Sequence, residues 1–313
     1  MATIPILDLK DFENDSVRQK FIKKLGKSLK DIGFFALINH GLSDQEIEEA
    51  YKVSEELFAL PTDVKMNYSG QKIQGQRGYT AFGKEHAKGS SAPDLKEFWH
   101  VGQFEIGDSN YPENIWPAEC PRLATVMSTI YQKLEVCSLK LLEACAEYID
   151  EPKHIFRDIA TNGNSILRMI HYPPIIGEVA KDSVRAAAHE DINLITLLIE
   201  ASSSGLEIQQ RNGDWMPVVT PKNCIIVDSG DMLQNITNGI YRATTHRVVN
   251  PKDPTKSRYS MPYFVHAKSE ANLAPLRSCV AAVGSKKYPE INAGEYLQKR
   301  LAEIGLRDVR QKP

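Results

Sequence analysis

Three side chains in this 313-residue sequence have the types and spacing to do metal chemistry: His189, Asp191 and His246. The first two stand in A-H-E-D-I-N-L-I-T-L-L-I-E and the third in T-N-G-I-Y-R-A-T-T-H-R-V-V-N-P. Two imidazoles and one carboxylate can take one face of an octahedral ion and leave three positions open for reactants. Side chains two apart on an extended segment leave the same face, so His189 and Asp191 can point together. His246 follows 246 − 189 = 57 residues later, room for several strands to run out and return. At 258 − 246 = 12 positions beyond it comes Arg258-Tyr259-Ser260. Its guanidinium fork and hydroxyl are suited to gripping a carboxylate beside the metal.

Each signal is weak alone: His-x-Asp arises by chance, and a lone histidine is more often a hydrogen-bonded structural residue. Zinc competes for such ligands, but its three-ligand hydrolytic sites have no use for a carboxylate-holding Arg-x-Ser. The combination therefore favours Fe(II). His40, His86, His100, His154, His171 and His266 have no comparable setting. They are read as structural or surface residues, with His171 a possible pocket member. Period-two geometry puts Arg258, Ser260, Pro262 and Phe264 on one strand face, and Arg168, Ile170 and Tyr172 on one face of another. If Arg258 points inward, so does Phe264, toward a substrate. Phe264 and Arg168 are thus candidate substrate-binding residues, followed by Tyr79 and the Phe98-Trp99 segment, although packing explains each as well. That mix of rings and cations hints at a small carboxylated or amino-acid-like substrate.

The elements that must carry these residues are legible from periodicity. Val17, Phe21, Leu25 and Leu29 recur at helical spacing behind the capping candidates Asn14, Asp15 and Ser16. Gly33 to Gly41 reads as a short buried strand, and Ser43 with Glu46 as a capping box opening a helix through Ile47, Tyr51 and Phe58. A long helix carries Met127, Ile130, Leu134, Cys137, Leu141 and Cys145 on one stripe. Residues 69–91 are rich in Gly, Lys and Gln with little periodicity, and read as a loop, a candidate lid. From Asn164 to His266 short runs of Ile, Val, Leu and Thr alternate with turn signals, Asn212-Gly213 marking a tight hairpin. That spacing predicts a sandwich or jelly roll, not a parallel sheet. Helical periodicity returns at Ala293–Ile304.

The bulk numbers are those of an ordinary globular chain: 42% hydrophobic, 25% charged and a net charge of −2. Such a balance gives no electrostatic reason to expect nucleic acid or an anionic membrane as partner. No secretory signal or membrane-length apolar run is visible, and the five cysteines are scattered with no C-x-x-C pair. A cytoplasmic protein acting on a small molecule is the expectation. Oligomeric state is not readable.

Several segments resemble the isopenicillin N synthase-like, 2-oxoglutarate/Fe(II)-dependent oxygenase superfamily. They are A-H-E-D-I-N-L-I-T-L-L, S-G-L-E-I-Q-Q-R-N-G-D-W-M-P-V, V-D-S-G-D-M-L-Q-N-I-T-N-G-I-Y-R-A-T-T-H-R-V and R-Y-S-M-P-Y-F, with I-P-I-L-D-L, G-F-F-A-L-I-N-H-G and G-Q-R-G-Y upstream. The resemblance covers nearly the whole chain. It implies a mainly β protein with flanking α-helices around a distorted double-stranded β-helix (jelly-roll) core. Residues 1–313 would form one oxygenase domain: a helix-rich region 1–163, the core 164–267 and a C-terminal segment 268–313. His189, Asp191 and His246 would hold iron. Arg258 and Ser260, with Tyr172 reaching the same region, would bind the distal carboxylate of 2-oxoglutarate. Dioxygen would then hydroxylate, desaturate or cyclise a substrate as 2-oxoglutarate is decarboxylated to succinate. Glu190 inside the triad, and the wording A-H-E-D and S-M-P-Y-F, also resemble isopenicillin N synthase itself, which needs no 2-oxo acid; Ile170 stands where plant relatives commonly have Asn. A 2-oxoglutarate-independent oxidase, an ethylene-forming enzyme and a non-catalytic metal-stabilised module are the alternatives.

Overall fold

The runs of β-branched and aliphatic residues after position 164 fold as strands because each must bury one face, and two sheets facing one another let them do so. The computed structural model describes residues 3–69, 73, 75–85, 93–104, 111–176, 184–199, 204–222 and 224–303. Its strands are β1 (Ile6–Asp8), β2 (Phe34–Ile38), β3 (Gly78–Thr80), β4 (Glu97–Val101), β5 (Ile166–Tyr172), β6 (Ala186–His189), β7 (Ile195–Ile199), β8 (Leu206–Gln209), β9 (Trp215–Pro217), β10 (Ile225–Ser229), β11 (His246–Val248) and β12 (Arg258–Val265). The larger sheet has the order β1-β2-β10-β7-β12-β5-β4-β3, and the smaller β6-β11-β8-β9. This is the jelly-roll core expected.

Register places the larger sheet's inner face in rows. One row runs Phe34, Asp228, Thr196, Phe264, Ile166, each directly opposite the next. Further along β12, Ser260 faces Ile170 and Arg258 faces Tyr172. Because alternate residues share a face, Arg168 lies on β5 between Ile166 and Ile170, with His100 of β4 opposite it.

The outer face is covered by helices. α1 (Leu9–Glu13) leads to α2 (Arg18–Asp31), and α3 (Asp44–Phe58), α4 (Thr62–Met66), α5 (Leu123–Tyr148) and α6 (His154–Ala160) follow; α7 (Asp231–Ile236), α8 (Arg277–Val283) and α9 (Ala293–Glu303) come later. α5 has 26 residues and buries the predicted stripe from Met127 to Cys145 against α2, α3 and α6. At about 1.5 Å per residue it runs roughly 39 Å, enough to back the sheet. The capping box at Ser43 forms in both directions. The Asn212-Gly213 hairpin forms too, with Gly213 at φ 91°.

Three readings need correction. The capping candidates before α2 make no side-chain cap; Val17 occupies that position, and the Asn14 side chain accepts from Ser16 instead. β1, β3 and β4 in the N-terminal half had no visible signal. In β4 every residue is buried, which erases the alternation that would reveal a strand. Part of the stretch read as a loop is built structure: β3 lies in it, and Arg77, Tyr79 and Glu85 are buried. The lid expectation and His86 fall on 70–72, 74 and 86–92, outside the described residues, as does Ile304 at the closing helix.

Candidate active site

The two histidines come from the smaller sheet, where His246 of β11 pairs directly with His189 of β6. Their ring centroids are 4.4 Å apart. Asp191 follows two residues after His189 and turns its Oδ1 to 3.7 Å from each imidazole Nε2. All three donor atoms lie within 4.8 Å of one another. Each ring orients itself through its other nitrogen: His189 Nδ1 donates to Ala187 O at 2.8 Å and His246 Nδ1 to Thr244 O at 3.1 Å. That assigns the proton to Nδ1 and leaves both Nε2 lone pairs pointing at the shared point. Thr196 donates to Asp191 Oδ2, which leaves Oδ1 for a metal. Burial, helped by the neighbouring His189, pushes the His246 imidazole down to about 4, so it is neutral near pH 7.

An octahedral face with bonds of roughly 2.1 Å has edges near 3 Å, so edges of 3.7 Å need only a slight inward closure around an ion. The donor set fits Fe(II). Upstream motifs buttress it. Phe34 meets the His246 ring edge-on at 5.5 Å. Gly33, at φ 84°, lies where a Cβ would come within 2.2 Å of Thr244 Oγ1, beside the carbonyl that orients His246. Gly230, of S-G-D, packs where a Cβ would strike Asn193 O at 2.3 Å, and Asp231 N–H holds Asp191 O at 2.7 Å. The glycines therefore let backbone approach the ligand loop closely.

The triad lines a cavity of about 350 Å³ between the sheets. Arg258, Ser260, Pro262, Phe264, Arg168, Ile170 and Tyr172 all line it, as the period-two reading required. Arg258 is fully buried, its guanidinium 4.9 Å from the centre of the Tyr172 ring. Asp228 is buried in the same wall, and burial together with the Asp191 charge drives its carboxyl well above the usual range.

Arg168 is placed as expected but differently employed. Its fork is bidentate to Glu85 at 3.0 and 3.2 Å, and its Nε donates to His100 Nε2 at 2.6 Å. Lys96 lies 2.7 Å from Glu85 and 2.8 Å from Asp94. Those two cations overcome burial and hold the Glu85 carboxyl far below the usual range. Asp94 also accepts the Ala187 N–H of β6 at 3.0 Å, tying this network to the strand that carries His189.

The secondary pocket candidates sort by face. Tyr79 and Trp99 belong to the core on the helix side. Phe98 lies under Arg168, 4.1 Å from its guanidinium. His171 also points to the helix side, where it bonds Glu97 at 2.7 Å and stacks on Tyr259. The cavity histidines that sequence reasoning missed are His100 and His266. His266 could have been found, since it continues the parity of Arg258 to Phe264. Leu297, Arg300 and Leu301 of α9 complete the lining.

Residues 163–267 match the 2OG-Fe(II) oxygenase superfamily, and residues 4–119 the family described as the N-terminal part of a non-haem dioxygenase in morphine synthesis. The 2-oxoglutarate-Fe(II) type oxidoreductase ppzD of Metarhizium majus is 31% identical over 96% of both chains. Proline hydroxylase buaE of Petromyces alliaceus is 31% identical, covering 95% of this chain and 98% of its own. A solved 2OG-Fe(II) oxygenase family protein of Caulobacter crescentus is 38% identical, with a TM-score of 0.86 over 97% of this chain and 99% of its own. A Neurospora crassa protein solved with alpha-KG (2-oxoglutarate) and thymine is 28% identical, with a TM-score of 0.86 over 96% of each chain. The chain belongs to the 2-oxoglutarate/Fe(II) oxygenase superfamily. It is an Fe(II)- and 2-oxoglutarate-dependent dioxygenase that oxidises a small molecule. Among the described residues no helix is long and apolar enough to cross a membrane.

Proposed function

We propose that His189, Asp191 and His246 hold the ferrous ion, and that Arg258, Ser260 and Tyr172 hold the distal carboxylate of 2-oxoglutarate. What carries this reading is the convergence of three pre-oriented donor atoms, mutually within 4.8 Å, on the wall of the cavity that Arg258 and Ser260 also line. Iron, when bound, supplies dioxygen activation and the oxidative decarboxylation of 2-oxoglutarate to succinate and carbon dioxide. The chain supplies orientation. The two backbone carbonyls fix the imidazole tautomers, and Thr196 fixes which carboxylate oxygen faces the metal. Arg258 and Ser260, two apart on β12, present a fork and a hydroxyl from one strand face, and Tyr172 offers its hydroxyl from the opposite strand. Phe34, Ile170, Leu198 and Val248 exclude water around them.

Residues 1–163 and 268–313 act with the core as parts of one oxygenase unit, supported by the sharing of one sheet by β1–β4 and the core strands. Five buried cysteines support a reducing compartment such as the cytoplasm. The test of the clamp is Arg258→Ala. Losing a buried charge-assisted pair costs about 2–5 kcal/mol. The dissociation constant of 2-oxoglutarate, measured anaerobically with Fe(II) present, should therefore rise at least roughly 30-fold while iron remains bound. Unchanged 2-oxoglutarate affinity refutes the assignment.

A further inference from the structure

The relatives divide over substrate, one being named for proline and another solved with thymine. The cations of this cavity bear on the choice. Among the described residues those lining it are Lys96, Arg168, Arg258 and Arg300. Lys96 lies between Glu85 and Asp94, and Arg168 is bidentate to Glu85. Arg300 is 3.1 Å from Asp231 and 2.9 Å from Glu303. Arg258 is taken by 2-oxoglutarate in the function proposed above, and the inference rests on that reading. Among the described residues, a second carboxylate entering here would be desolvated where each lining cation is already in an ion pair or assigned to 2-oxoglutarate, and would face Glu190.

Among the described lining residues, His266 is a polar group able to answer a substrate. It is 7% exposed, its Nδ1 has no hydrogen-bond partner, and it lines the cavity. Burial pushes its imidazole down to about 4, so the ring is neutral, with one nitrogen a donor and the other an acceptor. Phe264 lies two residues before His266 on the same strand parity with Ile166 opposite Phe264, and Leu297 and Leu301 line the same cavity, so apolar groups share the site with Arg168 and Asp191. The cavity of about 350 Å³ must take co-substrate and substrate together, at the small end of the roughly 300–1,000 Å³ range of ligand pockets.

We infer that the prime substrate is a compact, uncharged molecule, a ring amide or imide in chemistry, that hydrogen-bonds to His266 and packs on Phe264. Such a substrate departs from the carboxylated or amino-acid-like one that the sequence suggested, a reading that counted Arg168 as available when Glu85 holds it.

The experiment pairs neutral rings with carboxylated twins: uracil and thymine against orotate, 2-piperidone against 6-oxopiperidine-2-carboxylate, with L-proline added. Calorimetry on the Fe(II)-loaded chain without oxygen first reads 2-oxoglutarate binding alone, then binding of each probe; succinate release in air follows. Failure of 2-oxoglutarate to bind defeats the proposed function and this inference with it. With 2-oxoglutarate bound, at least one neutral ring should bind tenfold or more tightly than its twin and stimulate succinate release. Equal or tighter binding of the carboxylated twins, or no binding by any neutral ring, overturns the inference while the proposed function stands. His266→Ala should weaken the bound neutral probe at least tenfold, and His266→Asn, which keeps a hydrogen-bonding group, should recover part of it. Full affinity in His266→Ala removes His266 from the site.

Discussion

Two arginines, Arg258 fully buried and Arg168 partly so, face the same cavity from neighbouring strands in different settings. Arg168 of β5 is locked by Glu85 and His100 and lies against the Phe98 ring. Arg258 of β12 lies against Tyr172, with Ser260 next on its face. The first belongs to a charge network in which Glu85, Lys96 and Asp94 balance one another and brace β6. The second sits on the wall the metal triad shares. Residue type and parity are identical for both. The fold supplies Arg168 with a carboxylate in fork geometry, Glu85, whereas the function proposed above gives Arg258 the distal carboxylate of 2-oxoglutarate.

The contrast is sharpest where one end of the cavity is broken at a time. His246→Ala removes a ligand at the reactive end. Succinate release should fall below detection even with excess Fe(II), while the metal-free chain still folds cooperatively in urea titration, the ring's hydrogen bond to Thr244 O being one among many in the core. Measurable turnover in this variant would mean that the triad is not the metal site.

Glu85→Gln strikes the other end. Removing one charge from a buried network leaves Arg168 and Lys96 facing each other with Asp94 alone to compensate, a loss of about 3–5 kcal/mol by urea unfolding. The pH dependence has a definite sign. The folded-state pKa of Glu85 lies below its unfolded value, so its contribution is fully present above about pH 4.3 and is lost as pH falls below that. The gap between wild type and Glu85→Gln should therefore close in acid. A constant gap down to pH 3 would show that Glu85 stabilises by packing, and the distinction between the arginines would lose its basis.

The reactive end was the legible one. His189, Asp191, His246, Arg258 and Ser260 lie in motifs whose spacing carries geometry, and period two grouped Arg258 to Phe264, and Arg168 to Tyr172, on strand faces that line the cavity. The structural end was not legible for two physical reasons. Glu85, Asp94 and Lys96 come from segments without periodicity, where nothing in the chain marks burial. β4 is buried on both faces, so His100 carried no alternation to set it beside Arg168. In the sequence His171 reads as structural with a possible place in the pocket; its parity, opposite to that of Arg168, Ile170 and Tyr172, puts it with Glu97 and Tyr259 on the other face.

Ser260→Ala gives the smallest and most discriminating effect. Ser260 is buried, lines the cavity and lies two residues from Arg258 on the same strand face. If both hold one carboxylate, loss of the hydroxyl removes one hydrogen bond to a charged acceptor, about 1–2 kcal/mol or roughly a 5- to 30-fold rise in the 2-oxoglutarate dissociation constant. The two substitutions should also couple: combined with Arg258→Ala, the serine change should cost less than it does alone, because the carboxylate it served is no longer held in register. Strict additivity would mean that the two residues act on different groups. The clamp would then reduce to Arg258 alone, and Ser260 would join Arg168 as part of the wall.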